Sequence, residues 1–146
     1  MQYTVGSVGR VITIRFHDGD SIYNGIESIA EKENITQATV WLIGGVKNGD
    51  VVVGPSDEQM PPLPMREHFT DPREIVGIGT LYPDEQSLPS LHLHAAIGKG
   101  NTVLTGCPRE GLDCWLVSEA VLMEIIGGTA RRQHDPRSGF SLLEIT

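Results

Sequence analysis

No stretch of this sequence approaches the ~20 consecutive apolar residues that a membrane-spanning helix needs, and the N-terminus lacks the basic start and apolar run of a secretory signal peptide. These absences predict a cytoplasmic protein with no membrane partner. Cysteine is scarce: only Cys107 and Cys114 are present, and in a reducing compartment both are expected as thiols. Basic residues are also few. Eleven Lys and Arg against nineteen Asp and Glu leave a formal net charge of -8. Nonspecific DNA affinity comes largely from cationic side chains that neutralise phosphates and release counterions, so direct nucleic-acid binding is disfavoured. Arg131, Arg132 and Arg137 form a local basic group that reads as solvated surface. No Gly-rich dinucleotide fingerprint follows a strand pattern: Gly77-Ile78-Gly79 is a lone G-x-G, read as a strand with close neighbours. No internal repeat is visible.

What remains is ordinary globular composition, 39% hydrophobic and 21% charged over 146 residues, enough for one domain with a substantial core. From Val11 to Phe16, apolar Ile12, Ile14 and Phe16 alternate with Thr13 and Arg15, the period of a half-buried strand. Asp20 is placed to cap a helix over about residues 21–33, with Ile22, Ile26, Ile29 and Ala30 on one face. A strand over Ala38 to Ile43 is expected to enter a tight turn at Gly44-Gly45, and Val51 to Val53 reads as a short strand. Prolines 55, 61, 62, 64 and 72 predict one long irregular loop from Gly54 to Pro72, flanking a site or a subunit interface. Further strands are expected at 74–81, 91–97, 102–104, 114–125 and 140–145. This inventory gives an α+β class: a mostly antiparallel, mixed sheet packed by one long and at most one short helix, as a single domain over residues 1–146.

The residues that carry chemistry lie in Leu91-His92-Leu93-His94-Ala95-Ala96-Ile97. On a strand, His92 and His94 point to the same face roughly 7 Å apart along the backbone, so their imidazoles can converge on one ion. Leu91, Leu93, Ala95 and Ile97 occupy the other face and anchor the strand. A zinc site usually draws three or four groups from His, Cys or carboxylates. A hairpin through Gly98-Lys99-Gly100-Asn101 would return Cys107 beside the histidines, which makes it the candidate third ligand. The plainer alternative is a solvent-facing or interface histidine pair, with Cys107 a small buried hydrophobe.

The chain resembles the plant-and-prokaryote-conserved (PPC) domain family from about Val8 to Leu143. "GRVITIRFHDGDSIYNGIESIAEKENI" is similar to that family's strand, Gly-Asp and helix opening, "ATVWLIGGV" to its next strand, and "EIVGIGTLY" to its middle strand. "LHLHAAIGKGNTVLTGC" resembles its His-x-His strand and hairpin, whose return strand ends in Gly-Gly-His. Here Cys107 stands where the third histidine is expected, Thr105 replaces the first glycine of that pair, and the hairpin is a residue shorter. "RRQHDPRSGFSLLEI" resembles the closing Arg, Asp and Thr-Gly segment. The resemblance implies a homotrimer and a fold related to zinc proteins such as acetolactate decarboxylase, with histidine ligands. Plant members bind AT-rich DNA through an attached AT-hook, and this chain has no Arg-Gly-Arg-Pro core.

Three functions are therefore in view. The first is a zinc-dependent hydrolase or lyase acting on a small molecule, with metal on His92, His94 and Cys107 and a proton-transfer group drawn from Glu119, Glu67 or Asp113. The second is a noncatalytic trimeric protein-interaction module. The third is the DNA-binding or regulatory role that family naming suggests. The trimer interface is expected to involve the 114–125 strand and the proline-rich segment.

Overall fold

Alternating apolar and polar side chains put most of this chain into strands. A computed structural model describes residues 1–145, Glu110 by its backbone alone. Strand β1 (Ser7–His17) leads into helix α1 (Ile22–Lys32). Seven strands follow: β2 (Ala38–Pro55), β3 (Pro64–Phe69), β4 (Arg73–Pro83), β5 (Pro89–Lys99), β6 (Thr102–Ile126), β7 (Ala130–Asp135) and β8 (Phe140–Ile145). Strand residues make up 65% of the structure and helical residues 8%, so the architecture is a mostly antiparallel β-sheet and not the α+β arrangement expected above.

The reason lies in how the glycines and prolines are used. Gly44-Gly45 and the prolines between Gly54 and Pro72 were expected to interrupt strands, whereas several of these residues sit inside one. Gly44-Gly45 is not a turn, because β2 runs straight through it. A Cβ on Gly44 (φ 127°) would lie 2.6 Å from the Ser118 Cα, and one on Gly45 would lie 2.5 Å from the Trp115 carbonyl oxygen. The pair lets β2 and β6 approach closely, and Ser118 Oγ donates to the Gly45 carbonyl at 2.7 Å. The segment read as one irregular loop contains β3, an edge strand paired, among the described residues, with β2 alone and with Pro64 as its first residue. Proline is tolerated there because an edge strand has backbone donors to spare. The predicted strands at 102–104 and 114–125 are parts of one 25-residue strand.

Every pairing among the described strands is antiparallel, and the pairings form a ring. Strand β2 bonds β4, β4 bonds β5, β5 bonds the first residues of β6, and the rest of β6 bonds β2. Strand β1 flanks β6 and β3 flanks β2, while β7 and β8 form a separate two-stranded ribbon. Inside lie Val40, Leu42, Ile75, Leu81, Leu93, Ile97 and Leu122. Helix α1 is the one helix among the described residues, and it covers this core with Ile22, Ile26 and Ala30, all fully buried at spacings of four. Burying each isoleucine contributes about 1.5–3 kcal/mol relative to exposure. Ser21 occupies the N-cap position, whereas Asp20 instead accepts from the His17 backbone at 2.8 Å. Asn34, at φ 55°, turns the chain out of the helix. No helix among the described residues is long and apolar enough to cross a membrane.

Candidate functional site

Strand β5 alternates strictly. Leu91, Leu93, Ala95 and Ile97 are buried, while His92 is half-buried and His94 exposed on the outer face. Its partner β4 fixes the register: Thr80 lies opposite His92 and Ile78 opposite His94. The two imidazoles meet edge to face, with centroids 4.9 Å apart, planes at 80° and Nε2 atoms 3.2 Å apart.

Cys107 arrives from β6. The β5–β6 hairpin closes at Lys99 opposite Thr102 and extends to Ala95 opposite Gly106. One residue later β6 has joined β2, with Cys107 opposite Val52. Gly106 permits this crossing, because a Cβ there would lie 2.1 Å from the Val52 carbonyl oxygen. Tyr23 of α1 holds the next residue, its hydroxyl donating to the Pro108 carbonyl at 2.6 Å. Cys107 is thereby buried with its sulfur toward the histidines, and the three ligand-type atoms of His92, His94 and Cys107 lie within 4.8 Å of one another.

Electrostatics favours neutral histidine here. Burial first, then repulsion from Arg132, His94 and Arg109, push His92 down to about 4, so the His92 imidazole keeps a free lone pair at neutral pH. Burial pushes the Cys107 thiol up, and the same two arginines oppose that shift. The thiol now donates to the Pro108 carbonyl at 3.7 Å. Two imidazole nitrogens and one sulfur form a borderline-soft donor set that suits zinc better than magnesium or calcium. Tetrahedral zinc with Zn–N bonds near 2.05 Å separates its nitrogens by about 3.3 Å, close to the observed spacing. The residues present fit such an ion.

The proton-transfer candidates stand elsewhere. Glu119 is exposed on β6 between Arg15 and Ile43, and Glu67 is exposed on β3 opposite Val51. Asp113 accepts from Asn48 Nδ2 at 3.0 Å. None joins the three-residue cluster among the described residues. Sequence reasoning missed Tyr23, Arg109 and Arg132. Arg132 was read as solvated surface, yet it is 7% exposed on β7. The available signal was the closing "RRQHD" segment of the resemblance. A cavity of about 390 Å³ opens on His94, Cys107 and Arg109, walled by Val52, Pro64 and Phe140.

The fold is shared with several solved structures. A metal-containing protein from Archaeoglobus fulgidus superposes with a TM-score of 0.86 at 23% identity, covering 99% of each chain. A plant- and prokaryote-conserved (PPC) protein from Pyrococcus horikoshii gives 0.85 at 24% identity, over 100% of this chain and 99% of its own. A protein from Ralstonia eutropha, provisionally described as DNA-binding, gives 0.71 at 21% identity, over 92% and 90%. Comparison with curated proteins found no match. The family model described as the Plants and Prokaryotes Conserved (PCC) domain matches residues 3–126, from ahead of β1 to the last residue of β6, and the chain belongs to that family.

Proposed function

We propose that this chain is a zinc protein acting on a small oxygen-bearing molecule, with the metal held by His92, His94 and Cys107 and a homotrimer as the working form. The observation that carries the reading is the convergence of three ligand-type atoms, from two different strands, within 4.8 Å. The Archaeoglobus fulgidus relative, described as metal-containing, supports it. A zinc ion with an open position lowers the pKa of bound water to ~7 and polarises carbonyl oxygens, which suits a hydrolase or a lyase. His92 and His94 would hold it through neutral Nε2 atoms, Cys107 through its thiolate, and Thr105 and Arg109 line the adjoining cavity. Elemental analysis of protein purified without an affinity tag tests this. His92→Ala and His94→Ala should each lose the metal, and Cys107→His should keep it. Equal zinc in the parent and both histidine variants would place the metal elsewhere.

A second reading, a noncatalytic trimeric module, is favoured by one apolar strip on the outer sheet face. Trp41 pairs with Ile78 and Ile43 with Val76, and all four are about half exposed or more. Ile78 in turn lies opposite His94, so the strip runs up to the cluster. A strip of this kind is a natural subunit contact. Sedimentation of the parent as a trimer, and of Trp41→Glu with Ile78→Arg as a monomer, would support it, whereas a monomeric parent would end it. A DNA-binding role has only the provisional naming of relatives behind it, and the charge of -8 opposes it.

A further inference from the structure

Beside His92 lies a second cavity of about 570 Å³, which shares Arg109 and Phe140 with the first. Strand β7 and the start of β8 build one wall, and both lie past the residues that the family model matches. Among the described residues its lining includes two arginines, Arg109 and Arg132, and no carboxylate; Ser90 and Ser141 add hydroxyls, and Leu91 and Phe140 supply apolar wall.

Arg132 is the unusual member. It alternates inward on β7 while Arg131 turns to the Asp84 and Glu85 carbonyls, at 3.4 and 3.5 Å. One guanidinium nitrogen of Arg132 donates to Thr80 Oγ1 at 2.8 Å, and the group lies 5.7 Å from the Tyr82 ring. Its Nε is buried with no hydrogen-bond partner, and no carboxylate pairs with it among the described residues. Arg109, exposed at the same cavity, likewise has no ion pair among them. Two cations without an ion pair among the described residues, gathered at one cavity, run against the balance of a chain with net charge -8. A buried guanidinium without a counter-charge is costly, and an oxyanion that accepts from it in a forked geometry removes that cost.

We propose that this cavity is an anion subsite, in which Arg132 and Arg109 bind the carboxylate or phosphate group of a small molecule whose remaining oxygen-bearing part extends toward His92. As a statement about substrate class this rests on the metal reading above. As a statement about anion binding it stands without metal. The cluster and the arginines then take opposite ends of one ligand: a donor set for a neutral oxygen on one side, a cationic clamp on the other.

The test uses the full chain, prepared zinc-loaded and metal-free, titrated calorimetrically with inorganic phosphate and separately with acetate, against sodium chloride at equal ionic strength. One of the two anions should bind metal-free protein with a 1:1 stoichiometry and raise its unfolding midpoint, and the stronger binder identifies the oxyanion. Arg132→Gln should weaken that binding by about tenfold or more, and Arg132→Lys should restore part of it. A merely structural arginine, packed on Tyr82, would change the midpoint without changing the anion's effect on it. If Arg132→Gln does not fold, Arg109→Gln, at an exposed position, should show the same loss. Zinc content unchanged in Arg132→Gln, together with anion binding in the parent, supports the inference. Anion binding in a parent that takes no zinc sinks the metal reading alone. A parent that takes zinc but binds neither anion beyond chloride overturns this inference alone, as does an arginine variant that binds as well as the parent.

Discussion

Replacing Gly106 by alanine would put a methyl group 2.1 Å from the Val52 carbonyl oxygen, where ordinary contact begins near 3.4 Å. The difference, 3.4 − 2.1 = 1.3 Å, must be found by separating β6 from β2, because the obstructing atom is backbone and has no rotamer to change. Overpacking of this kind costs about 1–3 kcal/mol, and a backbone clash belongs at the upper end. At about 2–4 °C per kcal/mol for a domain of this size, 3 kcal/mol lowers the unfolding midpoint by about 6–12 °C. Cys107 is the next residue, and metal ligands tolerate displacements of only about 0.2 Å, so if the proposed zinc site holds, its affinity should fall by about tenfold or more. Gly100→Ala is the control. Gly100 sits at φ 58° with nothing within 4 Å of its Cβ position, so it bears only a left-handed backbone cost of about 1 kcal/mol and should leave zinc binding alone. Thermal unfolding at one protein concentration, paired with a zinc competition titration, reads both quantities. A Gly106→Ala protein that melts within about 1 °C of the parent would refute the close-approach argument, since an unrelieved clash of this size shifts a midpoint by several degrees.

Leu93→Ala should lower stability by about 2–5 kcal/mol in urea unfolding, because Leu93 is fully buried and fills the space over Gly77 and Gly79. Glu124 is held down to about 2 by hydrogen bonds from the Arg10 side chain and backbone, against 4.5 in the unfolded chain. A depressed carboxylate stabilises the fold above the unfolded value, so that contribution should disappear as pH falls from about 4.5 toward 2, and Glu124→Gln should flatten this part of the pH–stability curve. An unchanged curve in the variant would remove Glu124 as its source. Duplex DNA should not be retained at physiological salt by a chain of net charge -8, and a submicromolar shift in a gel assay would contradict this.

The parts legible in the sequence were those where side-chain period and local chemistry agree. Ile12, Ile14 and Phe16 announced β1, the Ile22, Ile26, Ala30 stripe announced α1, and His92 and His94 shared a face because strands alternate. Cys107 could be paired with them because the hairpin between β5 and β6 is local. The length of β6 was hidden by Gly106, Pro108 and Gly111, which look like strand ends in a sequence. In space Gly111, at φ 75°, approaches the Asn48 carbonyl within a β2–β6 pairing, where a Cβ would lie 2.1 Å from the oxygen. Leu112 and Leu116 take positive φ angles of 63° and 65° in the same strand, which no pattern of leucines signals. Strand β7 was missed for a different reason. Its inward residues are Ala130 and Arg132, and hydropathy assigns an arginine to solvent.

Strand β6 changes neighbours between Gly106 and Cys107, leaving β5 and taking up β2. The histidines are therefore on one side of a seam and the cysteine is at the point where the seam is sewn. A β4–β5 hairpin joins residues near in sequence and carries both imidazoles but not the sulfur's final position. That position comes into being only when a strand from residue 102 onward meets one from residue 38 onward, a contact between distant parts of the chain. The completed trio is thus a reporter of ring closure. A probe that senses all three side chains would stay silent through partial folding and respond at the last step, and any ligand joining them would slow the seam's first opening more than it would speed its formation.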